Sequence, residues 1–180
     1  FLNMSSSLII YSSTDGHTKR ICERIAGLLD SGEVTKVISL EDANGINLSP
    51  FNKIIIGASI RYGRHSKNLY KFINLNKDIL DKKQSSFFSV NVVARKSEKN
   101  SLDTNPYIKK FLKISKWHPK KIGVFAGKID YSKYGFFDKH IIRLIMFITN
   151  GPTDLSQAYE FTNWDSVDNF AKEISNISDY

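Results

Sequence analysis

The sequence holds a single cysteine. Cys22 alone excludes an intramolecular disulfide, a thiolate zinc site and a CxxC redox pair, and it points to a reducing compartment. Any redox chemistry therefore needs a cofactor. The Walker pattern and the dinucleotide G-x-G-x-x-G are both absent, which leaves ATP and NAD poorly supported. The four histidines show no metal-ligand spacing. No apolar run approaches the ~20 residues of a membrane span, and no charged-then-apolar signal opens the sequence. A soluble or peripheral protein is expected. Helix-turn-helix, zinc-finger and aromatic RNA-binding signatures are also missing, so no nucleic-acid partner is expected.

What is present is ample for a core: 180 residues, 41% hydrophobic and 12% aromatic, read as one domain over 1–180. Lys and Arg number 26 against 18 Asp and Glu, a net charge of +8. The excess is regional. Between Arg95 and Arg143 lie 13 basic residues against four acids, a local charge of +9, and the remainder carries −1. Such a region suits an anionic surface or a carboxylate-bearing substrate, and equally a solvated lysine-rich face.

Short apolar runs recur at Leu8 to Tyr11, Ile54 to Ala58, Phe87 to Val93 and Ile122 to Ala126. They read as buried parallel strands, with the alternating Thr35 to Leu40 as an edge strand. Between them, Ile21, Ile25, Leu28 and Leu29 share a helical face, as do Leu69, Phe72 and Ile73. Trp164 to Ile177 keeps a helical period behind a Thr162-x-x-Asp165 start. Strand and helix alternate, which predicts an α/β doubly wound five-stranded parallel sheet with ligands beyond the carboxyl ends of its strands. The alternation breaks between Lys128 and Tyr159, where an aromatic insertion delays the last helix. Within it, Phe136 to Thr149 is expected to form a largely apolar helix that covers the sheet, forms a homo-oligomer interface or lies on a membrane.

After the first strand, Ser12-Ser13-Thr14-Asp15-Gly16-His17-Thr18 leads straight into a helix. Hydroxyls and free amides at a helix N-terminus bind phosphate, and glycine permits close approach. A plain Ser/Thr helix cap is the alternative.

This loop resembles the flavodoxin phosphate loop, with Asp15 standing where that family usually has Thr or Ser. Such a carboxylate is expected to turn away and accept backbone or Thr18 hydrogen bonds. Further stretches narrow the resemblance: Gly57-Ala58-Ser59-Ile60-Arg61-Tyr62-Gly63, Ser89-Val90-Asn91-Val92-Val93-Ala94-Arg95-Lys96, Arg143-Leu144-Ile145-Met146 and Thr162-x-Trp164. Together they resemble the menaquinone-dependent protoporphyrinogen IX dehydrogenases, short flavodoxin-like enzymes of haem biosynthesis, from about Leu8 to Ile177.

The resemblance implies FMN, with electrons passing from protoporphyrinogen IX to menaquinone or another membrane quinone, so the flavin carries the redox step. One phosphate loop without a second nucleotide fingerprint favours FMN over FAD. Ser13, Thr14, Asp15, Gly16, His17 and Thr18 would hold the phosphate. Ser59, Ile60, Arg61, Tyr62 and Gly63 would flank the ring with Asn91, Val92, Val93, Ala94 and Arg95. Tyr62 is either a stacking partner or an ordinary loop aromatic. Arg61 and Arg95, then Arg64 and Lys96, are the candidates for substrate carboxylates. A peripheral position on the anionic cytoplasmic face of the inner membrane is the matching expectation. A flavodoxin-type carrier and an NAD(P)H quinone reductase are the alternatives, and +8 opposes the acidic docking surface of a carrier.

Overall fold

The computed structural model describes residues 6–29, 32 and 34–177. Strands β1 (Ser6–Ser12), β2 (Val34–Ser39), β3 (Lys53–Ser59), β4 (Gln84–Val90) and β5 (Lys121–Phe125) form one sheet. All neighbours are parallel, in the order β2-β1-β3-β4-β5, so β2 is an edge strand as its alternation predicts. Helices α1 (His17–Ala26), α2 (Lys67–Lys82) and α3 (Pro106–Ser115) make the crossovers. After β5 the chain adds β6 (Lys128–Asp130), α4 (Phe136–Ile148) and β7 (Ala158–Glu160) before α5 (Trp164–Ser175) returns to the sheet.

Side chains of successive strand residues point to opposite faces, so three isoleucines in a row serve two cores. Leu8, Ile10, Ile54, Ile56 and Phe87 pack against Leu69, Phe72, Ile73, Ile108 and Phe111 of α2 and α3. Ile9, Ile55, Phe88 and Phe125 meet Ile21, Ile25, Val167, Phe170 and Ile174 of α1 and α5. Cys22 lies in this second core, where burial pushes its thiol far above the usual range and removes it from reactivity.

Three local expectations need correcting. The fourth strand stops at Val90, not Val93: the Asn91 side chain accepts the Ala94 amide at 3.1 Å and starts a 3-10 turn over 92–95. Asn163, not Thr162, caps α5 by accepting the Ser166 amide at 3.2 Å. Thr162 instead donates its hydroxyl to the Ala126 carbonyl at 2.7 Å. The insertion contains its expected helix, but β6 and β7 also pair as an antiparallel ribbon that tethers both of its ends.

Asn150 ends α4 in the left-handed conformation, with Gly151 N donating to Met146 O at 2.7 Å and Asn150 N to Phe147 O at 3.4 Å. This double closure satisfies the last-turn carbonyls. The helix buries only Met146, and Ile142 is partly buried beside it.

Gly57 is fixed by its cross-strand neighbour. Phe88 sits opposite it in register, and a Cβ on Gly57 would fall 2.1 Å from the Phe88 ring. Gly57→Ala should destabilise by about 1–3 kcal/mol through overpacking. Thermal unfolding followed by circular dichroism should show a fall of roughly 2–4 °C per kcal/mol. An unchanged midpoint would mean that the ring is free to move.

Candidate active site

A cavity of about 430 Å³ opens at the carboxyl ends of β1, β3, β4 and β5. Its walls include Ser13, Thr14, Asp15, His17 and Thr18 after β1, Ser59 through Gly63 after β3, and Asn91 with Val92 after β4. All of these were expected from the sequence. Gly16, Val93, Ala94, Arg95 and Lys96 belong to the same loops but lie off the cavity wall. Arg64 borders a neighbouring hollow of about 210 Å³ that shares Thr14, Ser59, Arg61 and Tyr62 with the main site. The sequence reading missed Tyr107 at the start of α3, Gly127 to Ile129 after β5, and Tyr134, Ile142, Ile145 and Met146 of the insertion. The signal for the last four was the apolar and aromatic surplus of that insertion, with Ile145 and Met146 also inside a stretch that carries the family resemblance.

Gly16 caps α1 at φ +85°, a conformation that glycine adopts without strain. No side chain caps the helix, so the plain Ser/Thr cap is not what this loop builds. Ser13 Oγ accepts the Gly16 amide at 3.0 Å and folds the loop on itself. The Thr18 hydroxyl is buried without a hydrogen-bond partner. Leaving such a group unpaired costs about 1–3 kcal/mol, which an anion seated at the helix N-terminus would recover.

His17 Nε2 lies 2.6 Å from Thr162 Oγ1. Thr162 spends its one proton on the Ala126 carbonyl, so the imidazole must donate through Nε2. Burial chiefly lowers the His17 pKa; Glu160 opposes this, while Arg20, Lys128 and Lys133 add to it. The ring is thereby kept neutral.

Residues Arg61 to Arg64 form a tight turn, with reciprocal amide-to-carbonyl bonds of 3.0 and 3.2 Å. Tyr62 and Gly63 occupy φ +50° and +70°. Glycine accepts this without penalty, whereas for tyrosine it is a strained position. Asp15 does not turn to the backbone or Thr18 as expected. Both its carboxylate oxygens meet Arg61 Nη1, at 3.2 and 3.3 Å, while Arg61 Nη2 donates to Asp138 of α4 at 3.0 Å. The Tyr62 hydroxyl donates to the same Asp138 carboxylate. That bond, ahead of Arg61, holds the Asp138 pKa below the usual range and raises that of Tyr62.

The flavodoxin domain family matches residues 8–156. The chain is 42% identical over 170 residues to "Protoporphyrinogen IX dehydrogenase (quinone)" of Leishmania major, covering 93% of this chain and 74% of that protein. It is 37% identical over 177 residues to the Escherichia coli K12 protein of the same name, covering 96% of each. The chain belongs to the flavodoxin-like protoporphyrinogen IX dehydrogenase family, an oxidoreductase family. In fold it is similar to oxidised flavodoxin 1 from Bacillus cereus, with TM-score 0.57 and 16% identity over 97% of this chain and all of that one. An archaeal flavodoxin gives TM-score 0.51 at 17% identity, covering 94% and 96% of the two chains.

In this dehydrogenase-family chain, buried polar groups fix the β4 loop. His65 Nε2 lies 2.9 Å from Ser89 Oγ, and Asn91 Nδ2 donates to the same oxygen at 3.2 Å. Asn105, which caps α3, donates to Asn91 Oδ1 at 3.0 Å. Arg95 is not part of the cavity wall and binds the end of α4 instead. Its Nη1 donates to Val92 O at 3.1 Å, and its Nη2 to the carbonyl and hydroxyl of Thr149, each at 3.0 Å.

Burial lowers the His65 pKa to about 4, with Lys110 contributing. The unfolded chain, at about 6.5, takes up this proton first. Stability from a neutral His65 is therefore complete above about pH 6.5 and declines as pH falls towards 4, by up to roughly 3 kcal/mol. Urea unfolding between pH 7 and 4 should show this slope, and His65→Gln should flatten it. An equal slope in both proteins would assign the effect to other groups.

Proposed function

We propose that this chain oxidises protoporphyrinogen IX to protoporphyrin IX in haem biosynthesis, using FMN and passing electrons to menaquinone or another membrane quinone. The observation that carries this reading is the buried, unpartnered Thr18 hydroxyl beside the uncapped start of α1, in a chain related throughout to quinone-linked protoporphyrinogen dehydrogenases. Bound FMN supplies the two-electron redox chemistry that no side chain here offers.

Thr18 and the first amides of α1 bind the phosphate, with Ser13 keeping the loop folded beneath it. The turn Ser59 to Gly63 and the segment from Asn91 present backbone groups to the ring edges. Val92, Ile142, Ile145 and Met146 exclude water above them. Tyr62 borders the cavity with its hydroxyl bound to Asp138 and the Arg61 guanidinium 5.4 Å from its ring centre. Substrate carboxylates meet Arg64 in the adjoining hollow, with the remaining N–H groups of Arg61 beside it. Arg95 and Lys96 act from outside the cavity and contribute positive charge rather than direct contact.

Quinone partitions into lipid, and α4 is built to meet lipid. Phe136, Phe137, Phe147 and Ile148 are each about 70% exposed or more. Among the described residues no helix is long and apolar enough to cross a membrane. With 13 residues, α4 spans only about 20 Å, so it lies on the surface with the basic region around it. A second copy of the chain seated on the same face is the competing arrangement.

Quinone-dependent appearance of porphyrin fluorescence tests the reaction, and bleaching of the flavin by NADPH instead would identify a quinone reductase. Thr18→Ala removes a hydrogen bond to a charged group, worth about 1.5–3 kcal/mol, and should weaken FMN roughly tenfold to a hundredfold. Flavin titration showing no loss would move the phosphate elsewhere. Sedimentation with liposomes should increase with anionic lipid, fall with salt, and drop when Phe136 and Phe137 become Ser. Protein remaining in the supernatant at every composition would assign α4 to a protein interface.

A further inference from the structure

A carboxylate in a phosphate loop is an electrostatic fault unless something offsets it. Asp15 lies between Ser13 and Thr18, within the stretch that surrounds the anion site. A phosphate seated there falls within the ~8–10 Å over which like charges feel each other at physiological salt. The contacts of Asp15 are instead with cations. Both carboxylate oxygens face Arg61, and its backbone carbonyl accepts from Lys133 Nζ at 3.2 Å. The next amide, Gly16 N–H, is held by Ser13 at 3.0 Å, so this peptide plane is pinned at both ends. Arg61 is itself fixed by Asp138 at 3.0 Å and lies over Tyr134, 5.1 Å from the ring centre.

We propose that Arg61 is a positioning residue that makes the loop selective for a phosphate-bearing flavin, by pairing the Asp15 carboxylate and holding it away from the phosphate. Asp138 supports it from α4, so the insertion contributes to cofactor affinity without touching the phosphate. The inference rests on the FMN reading above. It differs from a substrate role for Arg61 because its effect depends on Asp15 and on the phosphate, not on porphyrinogen.

Equilibrium dialysis of the full chain with FMN and, separately, with riboflavin provides the test. Arg61→Met should weaken FMN by roughly tenfold, since an unpaired carboxylate then faces the phosphate. Riboflavin, which lacks the phosphate, should change less than about twofold. Adding Asp15→Asn to Arg61→Met should restore most of the lost FMN affinity. No loss in Arg61→Met, an equal loss for riboflavin, or no rescue in the double variant would each overturn the proposal. If Arg61→Met does not fold, Asp15→Asn alone decides: FMN should bind several-fold tighter with riboflavin unchanged, and unchanged or weaker FMN binding overturns it. Wild-type protein that holds riboflavin as tightly as FMN would remove the phosphate site itself. A clear FMN preference without rescue would overturn this inference alone.

Discussion

The cavity exists because α4 is held over it, and α4 buries too little to hold itself. One side chain from this 13-residue helix is buried, whereas its large apolar residues are mostly exposed. Two arginines make up the difference. Arg61 bridges the loop after β1 to the first turn of α4 through Asp15 and Asp138, and Arg95 donates to the carbonyl of Thr149 at the last turn. Partly buried pairs of this kind are screened less than exposed ones. The β6–β7 ribbon then fixes where the insertion leaves and rejoins the sheet.

A similar economy governs the loop after β4. Ser89, Asn91 and Asn105 are buried polar groups that would be costly without partners, and each finds one in another. His65 joins this chain in neutral form, wedged edge-on against Phe87 and Phe111. The loop that borders the cavity is thus tied to the segment leading into α2 and to the cap of α3, and Asn91 is fixed by Ser89 and Asn105. Such preorganisation is what a cofactor site on loops requires.

The basic region and the exposed face of α4 occupy one part of the chain, which gives the proposed membrane docking a direction. Apolar side chains at Phe136, Phe137 and Phe147 face outward, while Ile142 and Met146 of the same helix line the cavity. Lipid on one side and cofactor on the other would leave a short path for a quinone. Asp138 lies on this helix and also holds Arg61, so the helix and the turn after β3 are joined by one ion pair.

The strands were legible because burial on both faces demands unbroken apolar runs, and the loop after β1 because hydroxyls and a glycine ahead of a helical period mark the start of a helix. Asn91 was hidden inside an apparent strand, since side-chain capping by a polar residue leaves no mark in hydrophobic periodicity. Thr162 and Asn163 are both good caps, and only the packing of Thr162 against Ala126 and His17 selected the second. The sequence by itself determined the parallel sheet and which loops lie at the carboxyl ends of its strands. Tertiary structure alone decided that Arg61 pairs with both Asp15 and Asp138, that Arg95 closes α4, and that Tyr107, Lys128 and Tyr134 border the cavity. The physical reason is range: periodicity and capping act within a few residues, whereas these partners are distant in sequence and meet only after the sheet brings its strand ends together.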